Sequence, residues 1–309
     1  MNIPSGVLPN ARAVDKYLRF LACPCCRDEV FQRATDTLVC RGCARRYRVL
    51  ENIPILLPPF LLCGNGWQRW ENLEDGYVRF YAKWSKESHL AVRAAYRSFY
   101  DWCDMRDSQN VSVLDVGGAN GIHRVIEWNY PEKINYFNLD PRIHFLHPYH
   151  VELYPREKEI DFPYVLGVGE YLPFRSNVFD VCVSTAAVDH FMSPADVFHE
   201  IFRCLKVGGK LFLMATKEGA SPATKRQKSL LPRIADFCRG HGFAATVKNL
   251  SRRMPLLPSL VKPRKSDPHA HHFRSIGELT DLLSMFNVTR STGAEVGQHS
   301  RFYIECEKR

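Results

Sequence analysis

The stretch Val111-Ser-Val-Leu-Asp-Val116, followed directly by Gly117-Gly-Ala-Asn-Gly121, decides the fold of this chain. Its first six residues are mostly apolar and rich in β-branched side chains, which predicts a buried strand. The glycines predict a tight turn, and a helix is expected from Ile122 onward. A strand, a glycine turn and a helix in this order let a ligand approach the backbone closely.

A second predicted strand supports a nucleotide-type cofactor site. Tyr136-Phe-Asn-Leu-Asp140 is largely apolar and ends in an acid. A carboxylate at such a strand end can accept hydrogen bonds from both hydroxyls of a ribose. Dehydrogenases use a similar fold and a similar turn, so these two segments leave both classes of enzyme open.

The segments that follow resemble the class I S-adenosylmethionine-dependent methyltransferases. Residues 113–121 resemble motif I of that family. Further matching segments come in the family's order: Gly169-Glu-Tyr-Leu-Pro-Phe174, Asn177-Val-Phe-Asp180 and Leu205-Lys-Val-Gly-Gly209. The resemblance favours a methyltransferase over a dehydrogenase. It implies a doubly wound, Rossmann-like α/β fold with a seven-stranded sheet, and S-adenosyl-L-methionine as the cofactor.

The resemblance also implies which residues hold the cofactor. Asp115 and the glycine turn would face its methionine part, and Asp140 would hold its ribose. The full set of implied cofactor-binding residues is Asp115, Gly117, Gly118, Gly121, Asp140, Gly169 and Glu170.

Two positions depart from the family's pattern. Ala119 stands where a third glycine is usual, and Val168 stands where an Asp commonly meets the adenine amino group. Loss of one hydrogen bond to the adenine costs about 0.5–1.5 kcal/mol, which weakens cofactor binding without abolishing it. A scaffold that binds the cofactor without turnover therefore stays an alternative to an enzyme.

The candidate catalytic base is His190. Methyl transfer needs in-line placement of a nucleophile, and in some cases a base to remove its proton. His190 follows the predicted strand at residues 181–184 and occupies a position where the family often carries His. A histidine bonded to a nearby loop is the structural alternative. No Asn-Pro-Pro-aromatic motif follows this strand, which argues against methylation of an adenine or glutamine amide nitrogen.

A second, independent pattern lies near the N-terminus. Cys23-Pro-Cys-Cys26 and Cys40-Arg-Gly-Cys43 form two Cys-x-x-Cys pairs, the spacing of a tetrahedral zinc site. Cys23, Cys26, Cys40 and Cys43 are the predicted ligands. Four thiolates leave no open position, so the predicted zinc is structural. Cys25 breaks the two-residue spacing and is expected to lie outside the site.

Residues 21–58 resemble the zinc-ribbon family of methyltransferase activator subunits. The resemblance rests on the cysteine pairs, on Tyr47 and on Asn52-Ile-Pro-Ile-Leu-Leu-Pro58, in which Asn52 stands where glycine is usual. It implies a partner or neighbouring methyltransferase domain, which the rest of the chain supplies.

These observations predict three parts: a zinc ribbon at 1–60, an aromatic helical linker or cap at 61–108, and a class I methyltransferase domain at 109–309 with a basic insertion at 217–270. The linker carries Trp67, Trp70, Tyr77, Tyr81 and Trp84 at helical spacing. They form a core stripe that joins the two domains, a cap over the active site, or both. A helix is also expected from Ser275 to about Phe286, followed by two final strands.

Composition limits the remaining possibilities. The chain has 309 residues, 45% of them apolar, without an apolar run of about 18 that could span a membrane. Its N-terminal residues lack the apolar run of a secretory signal. The scattered cysteines suit reduced thiols. We therefore expect a cytoplasmic protein.

The net charge of +9 is concentrated in one segment. Residues 217–274 hold thirteen Lys or Arg against three acids. A basic segment indicates an anionic partner, which is a nucleic acid, a phosphate-bearing substrate or a membrane surface. A solvated loop is the alternative.

The sequence thus predicts methyl transfer to a small metabolite or a sugar-linked intermediate. One alternative is an RNA methyltransferase whose zinc ribbon and basic insertion grip phosphates. The other is the scaffold without turnover.

Overall fold

The computed structural model describes residues 11–63, 67–68, 71, 85–105, 108–121, 133–142, 161–217, 271–296 and 299–309. Several predictions lie outside these residues: the helix from Ile122, the side chains of Trp70, Tyr77, Tyr81 and Trp84, and the insertion from 218 to 270. The proposed domain boundaries stay predictions. Within the described parts, no helix has the length and apolar character needed to cross a membrane.

The N-terminal part is a small antiparallel sheet whose strands pair in chain order. The strands are β1 (Phe31–Ala34), β2 (Thr37–Cys40), β3 (Arg46–Leu50) and β4 (Ile53–Pro54). Two short 3₁₀ turns precede them, Val14–Lys16 and Leu18–Phe20, and the four-residue helix α1 (Pro59–Leu62) follows. Side chains alternate along the strands, so that Phe31, Leu38 and Tyr47 are buried.

The larger sheet has seven strands in the order β7-β6-β5-β8-β9-β11-β10. They are β5 (Val111–Val116), β6 (Ile134–Asp140), β7 (Tyr164–Leu166), β8 (Phe179–Thr185), β9 (Leu205–Thr216), β10 (Asn287–Val296) and β11 (His299–Glu307). The first five run parallel, and β11 is antiparallel to both neighbours. The central strands are almost wholly buried, as a parallel sheet covered on both faces requires. The predicted seven-stranded α/β fold is confirmed.

Within the described residues, three longer helices flank this sheet: α2 (Lys86–Cys103), α3 (Pro194–Cys204) and α4 (Ile276–Leu282). Ser275 caps α4, since its hydroxyl accepts a hydrogen bond from the backbone N–H of Glu278. The prediction that this helix continues to about Phe286 is wrong. After Leu282 the chain tightens into a turn in which the N–H of Phe286 bonds to the carbonyl of Leu283, and Asn287 then begins β10.

The ribbon and the large sheet share one core. Tyr17, Leu21 and Leu38 of the ribbon belong to the same buried cluster as Phe137 and Phe174 of the larger part. The rings of Phe20 and Phe137 lie 4.6 Å apart between centroids. The ribbon is therefore packed against the sheet as part of its hydrophobic core.

The ribbon also forms backbone hydrogen bonds with the chain on both sides of the turn after β7. Before the turn, the N–H of Leu56 donates to the carbonyl of Leu166 at 2.7 Å. Beyond it, the N–H of Ala22 donates to the carbonyl of Pro173 at 3.0 Å, and the N–H of Arg175 donates to the carbonyl of Phe20 at 2.9 Å. Residues 167–171 are thus held between two backbone attachments to the ribbon.

Candidate active site and metal centre

A cavity of about 130 Å³ opens at the carboxyl ends of β5, β6 and β8. In open parallel sheets this is the edge at which ligands bind. The walls contain Val116 and Gly117 from the first strand end, Asp140 from the second and Thr185 from the third. The predicted residues Gly169, Glu170 and His190 also line the cavity.

The glycine turn after β5 depends on backbone shapes that side chains disfavour. Gly117 and Gly121 have φ of +76° and +74°, the left-handed region that glycine adopts without strain. Gly118 is needed for a different reason, because a Cβ there would overlap the side chains of Asn138 and Asp115. Of these three glycines, Gly117 alone lines the cavity.

Asp115 lies beneath the turn. It is fully buried and does not line the cavity, and its Oδ2 accepts a hydrogen bond of 2.8 Å from the hydroxyl of Tyr136. Asp115 therefore supports the turn from below.

Asp140 ties the turn to the end of β6. Its Oδ2 accepts from the N–H of Ala119 at 3.0 Å, and its Oδ1 accepts from the N–H of Arg142 at 3.0 Å. Asp140 lines the cavity, and a carboxylate at this strand end can accept hydrogen bonds from ribose hydroxyls. Ala119 adopts a φ of +52°, which shows how the turn accommodates alanine in place of glycine.

Glu170 holds the start of α3. Its Oε1 accepts hydrogen bonds from the N–H groups of Met192 at 2.8 Å and Ser193 at 3.1 Å. A carboxylate at this end of a helix also complements the helix dipole. Burial raises the pKa of Glu170. Val168, at the position where the family commonly has Asp, is buried and lines the cavity.

His190 ends a short 3₁₀ turn, Val188–His190, just after β8. This turn is held to the chain that follows the insertion, because the N–H of His271 donates to the carbonyl of Asp189 at 3.1 Å. His271 itself is not among the residues that line the cavity. The structure therefore brings His190, and not His271, to the wall of the candidate site.

Three aromatic residues also line the walls: Trp67, Tyr96 and Phe191. Trp67, from the predicted linker, is buried against the cavity, and Tyr96 reaches it from α2. Trp67 also belongs to a buried core cluster, so its placement agrees with both the core and the cap interpretation. Tyr96 was not among the predicted site residues, because nothing in its local sequence distinguishes it from the other rings of α2.

The four predicted metal ligands come together in the ribbon. The Sγ atoms of Cys23, Cys26, Cys40 and Cys43 all lie within 4.8 Å of one another. Two of the separations are 3.7 Å, from Cys23 to Cys43, and 3.5 Å, from Cys26 to Cys40. A tetrahedron with Zn–S bonds of about 2.3 Å places its sulfurs about 3.8 Å apart. The donor set and its spacing therefore fit zinc.

Cys25 lies outside this four-cysteine group but close to it. The hydroxyl of Tyr47 is 3.2 Å from the sulfur of Cys23 and 3.3 Å from that of Cys25. Burial raises the pKa of Tyr47 well above its ordinary value, so this hydroxyl stays protonated and can donate to sulfur. Tyr47 thus links the fifth thiol to the cluster.

The first cysteine knuckle is also fastened to the larger part. Arg27 donates to the carbonyl of Leu172 at 3.0 Å and forms an ion pair of 2.8 Å with Glu200 of α3. Leu172 stands two residues beyond Glu170, which lines the cavity. The predicted metal centre is therefore connected to the wall of the candidate cofactor site through Arg27 and the short segment from Leu172 to Glu170.

This strand order, the glycine turn and the acid at the end of β6 define the class I S-adenosylmethionine-dependent methyltransferase fold. Comparison with known families agrees: residues 114–213 match a family described as "Methyltransferase domain", and residues 15–51 match one described as "Trm112p-like protein". The chain contains a methyltransferase domain preceded by a Trm112p-like zinc-ribbon domain. The predicted enzyme class and both resemblances are confirmed.

Several solved structures are similar to this chain. One is a SAM-dependent methyltransferase from Aquifex aeolicus, 14% identical, covering 72% of this chain and 98% of that chain, with a TM-score of 0.44. A possible histamine N-methyltransferase from Thermotoga maritima is 18% identical, covers 79% and 100%, and has a TM-score of 0.41. The YcgJ protein from Bacillus subtilis is 15% identical, covers 69% and 99%, and has a TM-score of 0.42. No curated protein matches the chain.

Proposed function

We propose that this protein transfers the methyl group of S-adenosyl-L-methionine to a small-molecule acceptor, either a free metabolite or a sugar-linked intermediate. The observation that carries the proposal is the convergence of Gly117, Asp140 and His190 on one cavity. The first two suit the cofactor, and the third stands at the end of β8, where an acceptor would meet it.

When bound, the cofactor supplies an electrophilic methyl group on a sulfonium. Asp140 would accept hydrogen bonds from its ribose, and the turn at Gly117 and Ala119 would give its methionine part close access to the backbone. His190 removes a proton from the acceptor as its nucleophilic atom attacks, which typically contributes about 10²–10⁴-fold to a rate. Trp67 and Tyr96 cover the cavity and exclude water.

The departures at Ala119 and Val168 are compatible with cofactor binding. The Ala119 methyl sits in a turn that already has the left-handed backbone the motif requires. Val168 offers an apolar wall to the adenine in place of a hydrogen bond. A loss of about 0.5–1.5 kcal/mol corresponds to a dissociation constant raised by about tenfold at most.

We propose further that Cys23, Cys26, Cys40 and Cys43 hold one structural zinc ion. The sulfur spacing supports this proposal, and four thiolates leave no position for a substrate. Among the described residues ten cysteines are unbridged. Reduced thiols and a thiolate metal site suit a reducing compartment, which supports a cytoplasmic location.

The first test is calorimetric binding of S-adenosylmethionine and S-adenosylhomocysteine to the zinc-loaded chain. We expect both to bind with micromolar affinity. No heat with either compound would contradict the cofactor assignment. A labelled-methyl screen over small metabolites and nucleotide sugars then seeks the acceptor. Binding without turnover on any of them would favour the scaffold.

The role of His190 is tested once an acceptor is found. His190→Ala should lower the rate of methyl transfer by about 10²-fold or more. The dissociation constant for S-adenosylhomocysteine should change by no more than a few-fold. The matched control is His199→Ala, because His199 is exposed on α3 and does not line the cavity. Equal activity in both variants would remove His190 from the reaction.

A further inference from the structure

We propose that the outer face of the zinc ribbon is a docking surface for the phosphate backbone of a nucleic acid. The face is defined by four exposed arginines: Arg41, Arg45, Arg46 and Arg48. We call it the arginine face. It is separate from the cofactor cavity, and the proposal does not depend on methyl transfer.

Strand geometry fixes the direction of two of these side chains. Along β3 the residues alternate, with Tyr47 and Val49 buried and Arg46 and Arg48 exposed. Tyr47 belongs to the core shared with the large sheet. Side chains at alternate positions point to opposite faces, so Arg46 and Arg48 point away from the methyltransferase domain. Their Cα atoms stand about 6.6 Å apart along one strand.

The other two arginines lie in the second cysteine knuckle. Arg41 follows Cys40, and Arg45 follows Cys43 by two residues. The backbone here is fixed by bonds from the N–H of Cys40 to the carbonyl of Arg45 and from the N–H of Arg41 to the carbonyl of Val30. Closure of the metal site would hold this knuckle rigid, so the arginine face needs little ordering to bind a partner.

The arginine face carries an excess of positive charge. Within the described residues, none of the guanidinium groups of Arg41, Arg46 and Arg48 forms an ion pair with an acid, whereas Arg12, Arg27 and Arg33 of the same ribbon each do. The guanidinium group of Arg45 is hydrogen-bonded to the sulfur of Cys43. Two acids border the face at one end of β3: Asp36 in the turn between β1 and β2, whose carbonyl accepts from the N–H of Val49, and Glu51 in the turn between β3 and β4. Clustered like charges repel one another, so this arrangement is stabilised by an anion that bridges them. The planar guanidinium fork matches phosphate oxygens in a bidentate manner.

The shape of the face favours an extended polyanion over a single phosphate or a membrane. The guanidinium groups follow a strand and a knuckle, and do not converge on a pocket. The neighbouring outward positions on β1 and β2 are Gln32, Ala34, Thr37 and Val39. None is a long apolar or aromatic side chain of the kind that enters a lipid interface, and Val30 alone adds an exposed apolar group nearby. Without aromatic rings for base stacking, recognition would be through the backbone and independent of sequence.

The test is binding of a fluorescein-labelled single-stranded RNA of about 20 nucleotides to the full zinc-loaded chain, followed by anisotropy at several salt concentrations. Four phosphate contacts predict a slope of log affinity against log salt of about −2.8, which is about a 50-fold loss between 50 and 200 mM salt. For Arg46→Ala/Arg48→Ala we expect a slope less steep by about 1.4 and affinity lower by about 25-fold at 0.1 M salt. Arg46→Lys/Arg48→Lys should keep the slope of the unaltered chain.

The control removes two exposed cations from the methyltransferase domain, Lys206→Ala/Arg309→Ala, and keeps the same net charge as the alanine pair. It should change affinity by less than about threefold, since these residues lie off the arginine face. Zinc content and circular dichroism of each variant establish that the ribbon has folded.

Three results would overturn the proposal. The first is no salt-dependent RNA binding by the unaltered chain. The second is an alanine pair that binds like its control, which would assign the binding to another basic segment. The third is loss, in the alanine pair, of binding to phosphatidylserine vesicles with no effect on RNA, which would make the face a membrane contact. Equal binding of DNA of the same length would support a backbone contact.

Discussion

Alanine substitution at two glycines separates backbone strain from crowding at the cofactor turn. Gly117 and Gly208 have nearly the same φ, +76° and +73°. A Cβ on Gly117 would strike the side chain of Ala187 across the cavity, whereas a Cβ on Gly208 would have nothing within 4 Å. Gly208→Ala therefore reports the backbone strain alone, and Gly117→Ala reports the same strain plus the collision.

The magnitudes follow from these two contributions. A left-handed backbone costs a residue with a Cβ about 1–2 kcal/mol. Alanine also lowers the conformational entropy of the unfolded chain, which stabilises the folded state by about 0.4–1 kcal/mol. Gly208→Ala should thus lower the free energy of unfolding by about 1 kcal/mol. Crowding adds about 1–3 kcal/mol at Gly117, which gives a total of about 2–4 kcal/mol.

Urea unfolding measures both costs, and calorimetry with S-adenosylhomocysteine measures their effect on the site. We expect Gly208→Ala to bind S-adenosylhomocysteine with the affinity of the unaltered chain. Gly117→Ala should bind it about tenfold more weakly or worse, because a loss of about 1.4 kcal/mol of binding free energy at the turn is a factor of ten in the dissociation constant. Equal binding by both variants would refute the assignment of the turn to the cofactor. Equal losses of stability would refute the collision with Ala187.

Other substitutions test neighbouring features. Cys40→Ser should abolish stoichiometric zinc in elemental analysis, whereas Cys25→Ser should retain one ion per chain; zinc loss in both would place Cys25 in the site. Ala119→Gly should raise the free energy of unfolding in urea by about 0.5–1 kcal/mol, because it relieves a φ of +52°. Burial raises the pKa of Glu170 above its ordinary value of 4.5, so the folded chain keeps this proton to a higher pH than the unfolded chain does. The contribution of Glu170 to the free energy of unfolding therefore falls as the pH rises above about 4.5. Glu170→Gln should therefore gain stability relative to the unaltered chain over that rise, and a difference that does not change with pH would contradict this reasoning.

Much of the fold was predictable because local and tertiary preferences agree. β5 has the bounds expected from its β-branched run, since glycine ends the strand at Gly117. The two Cys-x-x-Cys pairs meet as their spacing indicated. Asn52 has a φ of +65°, and asparagine is among the few residues that tolerate the conformation of the glycine usually found there.

Other features depend on contacts that no local pattern contains. Asp115 was expected to face the cofactor, and that stays a prediction; its hydrogen bond from the hydroxyl of Tyr136 comes from the adjacent strand and has no signal in the local sequence. Tyr96 reaches the cavity only because of where α2 lies. The helix α4 ends at Leu282 because residues 283–286 form a tight turn that leads into β10, and the position of that turn is set by the pairing of Asn287 with Glu307.

The hydrogen bonds from the ribbon to both sides of the turn after β7 affect how many methyltransferase domains have a ribbon in place. A ribbon on a separate chain would dissociate from its methyltransferase domain, so the fraction bound would vary with concentration. Here the ribbon is covalently joined, so every methyltransferase domain has one copy at any dilution. Each polypeptide that is synthesised therefore contains one ribbon attached to one cofactor-binding turn, and the two parts need not be produced in matched amounts.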